Sequence, residues 1–207
     1  MDEKPHIIPA VAVKGIASGL LMMAIFTLMW TGMAFGSLYP AKSWYALLIF
    51  PLFSILFVIN AVRLFSISKY FPKLTSDADK AEGKRSGMWF GIIFGAEGLG
   101  IFIAVNIVIN LGHADLVIPV IALVVGLHFY PMARLFKRTI DYYLATWSTL
   151  IAITGILLIL EKVYSFETVD AFVGIGLAVA TSCYGVYMVI RGWEVQKVRA
   201  TMDAVPV

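Results

Sequence analysis

The amino-acid sequence predicts an all-α, polytopic integral membrane protein with six transmembrane helices arranged as three hairpins. Three observations carry this. Hydrophobic residues make up 60% of the chain, mean hydropathy is +0.88 and only 14% of residues are charged, against about 25% in soluble domains. Apolar stretches recur at the length of about 20 residues that a hydrocarbon core of about 30 Å demands. All but two of the 16 Lys and Arg residues fall in alternate gaps between those stretches.

The spans are read at about 15–36, 44–66, 87–111, 116–136, 142–160 and 170–190, leaving one transmembrane domain over 1–207 and no soluble catalytic or nucleotide-binding module. The first span follows a short polar head and shows no small-residue cleavage site before the second, so it reads as a retained helix and not a signal peptide. The longest connection, 67–86, is dominated by Ser, Thr, Asp, Lys and Gly. It is expected to be a solvated cytoplasmic loop with an amphipathic start at Tyr70-Phe71, whose lysines set topology or meet lipid headgroups. The turn Gly112-His113-Ala114-Asp115 is the shortest and makes the third and fourth spans antiparallel neighbours. Pro51, Asn60 and Arg63-Leu64-Phe65 are echoed by Pro119, His128 and Arg134-Leu135-Phe136, which fits either a repeated hairpin or coincidence among apolar segments.

Lys4, Lys14, the cations between spans two and three, Arg134, Lys137 and Arg138 after span four, and Arg191, Lys197 and Arg199 after span six must share one side. The opposite gaps hold Lys42 and Lys162 alone, so the positive-inside rule places both termini in the cytoplasm. Trp30, Tyr39, Trp44, Tyr45, Trp89, Tyr142, Tyr143, Tyr164 and Trp193 lie near span ends, where amphipathic rings prefer to sit. The single Cys183 excludes an internal disulfide and a cysteine metal cluster.

The chemistry reduces to polar groups at membrane depth. Of the 13 acids, Glu97 alone sits in the body of a span, 12 residues beyond Arg85 and so about 18 Å from the cytoplasmic charges. An ionisable group there costs about 3 kcal/mol on insertion scales and must face protein or water. It can exchange a proton or bind a cation, or it can be a protonated group that hydrogen-bonds a neighbouring helix. His128 is its best partner, as the one histidine inside a span; His6 and His113 are in the tail and the turn. Counted from Arg134, His128 is about 9 Å deep, so the two are expected at different depths and direct contact needs tilt or a bridging water. Pro131 cannot donate to the carbonyl of Leu127 and is a hinge candidate. Asn60, Tyr143, Thr146 and Tyr184 complete the transport-site candidates, as linings of an inner-half polar cavity or as interhelical hydrogen-bond formers.

Gly91, Gly95 and Gly98 form a small-residue stripe on span three, turned about 100° or more from Glu97. It suits internal packing or a homo-oligomer, and it makes span three central to the bundle. Met22, Met29 and Met33 share a face of span one but lack His or Cys partners there, which fits gap-filling and no metal site. Haem needs paired intramembrane histidines, no serine triad or zinc set is visible, and no phosphate loop is present; no catalytic residue, metal or cofactor is assigned. The net charge of +3 is accounted for by the connections, so nucleic acid is not a partner. The expected partner is the lipid bilayer, with a proton or small solute as cargo. Two functions remain: proton-linked or cation transport or conduction around Glu97 and His128, and a non-catalytic assembly or partner-binding protein using the Gly91/Gly95 face. An intramembrane lipid enzyme has least support.

The run from Ile118 to Phe136, IPVIALVVGLHFYPMARLF, resembles stretches in a family of small, uncharacterised bacterial six-helix inner-membrane proteins, with the likeness mainly in spans three and four. It implies a bacterial inner-membrane location and no activity. The three-hairpin outline is also similar to the acid-resistance membrane proteins of the HdeD type; no motif of theirs is matched, so it implies nothing further.

Overall fold

The computed structural model describes residues 8–39, 42–73 and 76–204, and is helical throughout apart from turns and short connections. Lys4 and His6 lie outside the described residues. The helices are α1 (Ala10–Leu38), α2 (Ile49–Ser68), α3 (Asp77–Asn110), α4 (Val117–Phe136), α5 (Thr139–Leu160) and α6 (Phe166–Ala204), with 3₁₀ segments at Lys42–Leu48 and Ala114–Leu116. All six are long and apolar enough to cross a membrane. Two extend well beyond the expected spans. The last ten residues of the 67–86 connection are the first turns of α3, and α6 continues past residue 190, because Asp, Lys and Glu at i, i+3 spacing support helix once water is available.

The core is built on α6. Of its most apolar stretch, 67% is buried within the chain, against 6% of that of α3. Along α6, Ala171, Gly174, Ala178, Thr181, Gly185, Met188, Gly192 and Val195 are all buried, at alternating steps of three and four. Along α1, Val13, Ala17, Leu20, Ala24, Thr27, Thr31 and Ala34 repeat the same steps and are also buried. Two such seams of small residues let antiparallel helices approach closely. A Cβ on Gly174 would lie 3.0 Å from the Trp30 carbonyl oxygen, and Thr27 donates its hydroxyl to Thr181 at 2.9 Å. Gly185 faces Phe57 and Gly192 faces Leu64, so α2 runs parallel to α6 along the same bundle. Several serine and threonine hydroxyls return to carbonyls, as Ser54 does to Ala24 at 3.1 Å.

The opposite side is α4 on α5, closest at Gly126, where a Cβ would sit 2.8 Å from the backbone nitrogen of Thr149. The hydroxyls of Tyr130 and Thr146 meet at 3.2 Å one turn further along. The contacts of α4 run antiparallel with both α3 and α5, which brings Arg85, Arg134 and Lys137 together at one end of the bundle, its basic end. Left-handed residues close the turns. Gly112 (φ 80°) and Lys162 (φ 54°) follow α3 and α5, with the next N–H donating back to Val108 and Leu158 respectively.

Two expectations are corrected. Trp30 is not interfacial but 1% exposed in the core, since α1 extends eight residues beyond it. Helix α3 is peripheral and not central. It leans on α4, and its ring contact elsewhere is Phe94 with Phe26 of α1.

Candidate functional site

The α3–α4 pair fixes the site. Its turn ties the two helices in antiparallel register: Gly100 lies opposite Val124, and the rings of Phe90 and Phe136 meet at 6.2 Å. Glu97 is 15 residues before Gly112, and His128 is 15 residues after His113. Antiparallel helices of equal rise bring such residues to one level. His128 Nδ1 accordingly lies 3.4 Å from Glu97 Oε1, with side chains 10% and 9% exposed. The expected difference in depth is therefore wrong. Counting from Arg85 and Arg134 compared unlike starting points, because Arg85 lies eight residues inside α3 while Arg134 is near the end of α4.

Nδ1 also meets the Val125 carbonyl oxygen. A carbonyl only accepts, so Nδ1 carries a proton that lies between two acceptors, and Nε2 is left to accept or to take a second proton. The Glu97 contact is of ion-pair length and longer than a good hydrogen bond. The Nδ1–H faces the carboxyl oxygen, so an ionised Glu97 can accept from it, and an imidazolium forms only when a second proton arrives at Nε2. Helix α4 passes through Pro131 without interruption from Val117 to Phe136.

From the basic end, a cleft of about 1000 Å³ opens between α3, α4 and α5. Arg85, Arg134, Lys137 and Glu82 line its mouth, and Ile93, Tyr130 and Pro131 its deep end. Ile93 is one turn from Glu97, and Pro131 is less than one turn from His128.

The remaining candidates separate. Thr146 joins the cleft wall through Tyr130. Tyr143 is 70% exposed and is not among the residues that line this cleft. Asn60 is buried on α2, where Nδ2 donates to Leu56 within its own helix at 2.9 Å and Oδ1 lacks a partner among the described residues. Tyr184 belongs to a second polar group that sequence reasoning missed. It accepts from Arg138 Nη1 at 3.0 Å and faces Asp141, a carboxyl group 1% exposed whose oxygens complete no regular hydrogen bond among the described residues. Asp141 reads from sequence as a helix-end acid; the signal was the short Lys137-Arg138 connection, which folds its first turn into the bundle. Asp170, also read as a helix-end acid, is 8% exposed at the opposite end near Asp115 and Glu167.

The internal-packing role of Gly91, Gly95 and Gly98 is corrected. No atom lies within 4 Å of a Cβ built on any of them, because α3 docks through Phe90, Glu97 and Gly100 and turns its glycine stripe outward. No protein-family model matches the chain, and no curated protein or solved structure matches it significantly.

Proposed function

We propose that the chain is inserted in a bacterial inner membrane as three helical hairpins with both termini cytoplasmic, and that it is a small proton-linked or cation transport protein working through Glu97 and His128. The observation that carries this reading is the Glu97–His128 contact on the least supported helix of the bundle, one turn from a cleft open at the basic end. An acid and a base held together at membrane depth are costly unless used. The cleft ends within a turn of them, and movement of α3 against α4, with Pro131 as hinge candidate, would expose the pair.

The test is flux in reconstituted vesicles carrying an internal pH dye, under a clamped potential. Wild-type protein is expected to carry protons, with Glu97→Gln at least about tenfold slower and His128→Gln also slowed. Unchanged flux in Glu97→Gln refutes the reading. A second reading rests on a separate observation: the Gly91, Gly95 and Gly98 face meets nothing within the chain. Small residues on an open membrane face suit a second copy or another helix. Crosslinking through Gly95→Cys tests it, and a monomer in the bilayer removes it.

A further inference from the structure

We propose that the cleft at the basic end of α3, α4 and α5 binds the phosphate-bearing headgroup of an anionic membrane lipid, and that this lipid ties α3 to the bundle. The inference needs membrane insertion but is independent of proton transfer at Glu97.

Arg85, Arg134 and Lys137 surround the mouth with one carboxylate, Glu82, among them. None of the three cations has a hydrogen bond or ion pair among the described residues, whereas neighbouring Arg138 is held by Tyr184 and lies over Phe136, and Arg191 is paired with Glu194 at 2.7 Å. Three cations against one carboxylate leave the concave site with a net positive charge that favours an anion, and the guanidinium fork matches phosphate oxygens.

Polarity along the cleft points to a lipid. Trp89 and Tyr142, both exposed, stand next to the charged mouth, and Ile93 lies eight residues deeper than Arg85, about 12 Å by helical rise. Charge, then amphipathic rings, then hydrocarbon is the order of headgroup, glycerol region and acyl chain. An inorganic phosphate would leave most of the 1000 Å³ empty. The arrangement also answers a structural need. With Arg85 on α3 and Arg134 and Lys137 at the end of α4, a shared phosphate bridges the helix that otherwise leans on α4.

The experiment places the full chain in nanodiscs of phosphatidylcholine, alone or with phosphatidylglycerol or cardiolipin, and reads retained lipid by native mass spectrometry and the unfolding midpoint. Wild-type protein is expected to retain anionic over neutral lipid by a factor on the order of ten and to melt several degrees higher with it. The variant Arg85→Gln/Arg134→Gln/Lys137→Gln should lose both effects. A control with equal charge loss outside the cleft, Lys69→Gln/Lys73→Gln/Lys80→Gln, should keep both. Equal losses in the two variants, or retention by the cleft variant, overturn the proposal. So does inorganic phosphate that reproduces the midpoint shift in neutral discs, since the site would then serve a soluble anion. If the triple variant does not fold, Arg134→Gln alone is expected to lose several-fold in preference, and unchanged retention there overturns the proposal equally.

Discussion

Gly126→Ala puts a methyl group where α4 and α5 leave no space for one. The new Cβ would stand 2.8 Å from both the backbone nitrogen and the hydroxyl of Thr149, and 3.1 Å from the carbonyl carbon of Ser148. Ordinary carbon contacts lie at about 3.5–4.0 Å, so the helices must separate by about 0.7–1.2 Å. Two of the three opposing atoms are backbone, and no side-chain rotation relieves them. Overpacking of this kind costs about 1–3 kcal/mol. Helix propensity works the other way, Ala exceeding Gly by about 1 kcal/mol. Gly91→Ala supplies the reference, since it gains the same propensity and meets nothing. The difference between the two variants isolates the steric contribution and should be about 1–3 kcal/mol, with Gly126→Ala the less stable. Reversible unfolding of both proteins under identical bilayer-mimetic conditions measures it. A difference below about 0.5 kcal/mol, or the reverse order, would mean that α4 and α5 do not meet at Gly126.

Other consequences follow from single contacts. A double-mutant cycle on Thr27→Val and Thr181→Val should give a coupling of about 0.6 kcal/mol, the usual strength of an interhelical bond in a membrane, and zero coupling would separate the two hydroxyls. Tyr184→Phe removes the acceptor of a charged donor, Arg138, and should cost about 1.5–3 kcal/mol in unfolding free energy; a neutral effect would show that water replaces the hydroxyl. Lys162→Gly relieves a left-handed backbone position and should stabilise by about 1–2 kcal/mol, read as a raised unfolding midpoint. A lowered midpoint would instead assign Lys162 a contact of its own.

Helix positions were readable because length and hydropathy alone select segments able to cross a bilayer. Which helix lies at the centre is hidden in the sequence for a physical reason. The stripe Gly91, Gly95, Gly98 drew attention to α3, yet α6 carries a longer one, from Ala171 to Gly192, at unbroken steps of three and four. Its members differ in kind, being Ala, Gly, Thr and Met, so a search for glycine pairs passes over it. What the stripe shares is small or flexible side chains, and those are what close contact requires. Exposed apolar faces give no help either, since lipid and protein select the same residues. At the site, Glu97 and His128 were both visible as isolated ionisable residues, and their equal distance from the Gly112-His113 turn held the contact in plain view. Asp141 was hidden by its place near a span end. Its burial depends on α6 covering the first turn of α5, a tertiary fact with no local signature.

The most direct test is difference infrared spectroscopy of the Glu97 carboxyl in reconstituted protein, across the range where carboxylate and histidine side chains titrate. The expected result is a carboxyl band that titrates in that range, is absent in Glu97→Gln and is displaced in His128→Gln, because the two side chains share one proton-bearing contact. A band that never titrates, or one indifferent to His128→Gln, would contradict it: Glu97 would then be a sealed packing group, and the outward glycine face of α3 the better guide to function.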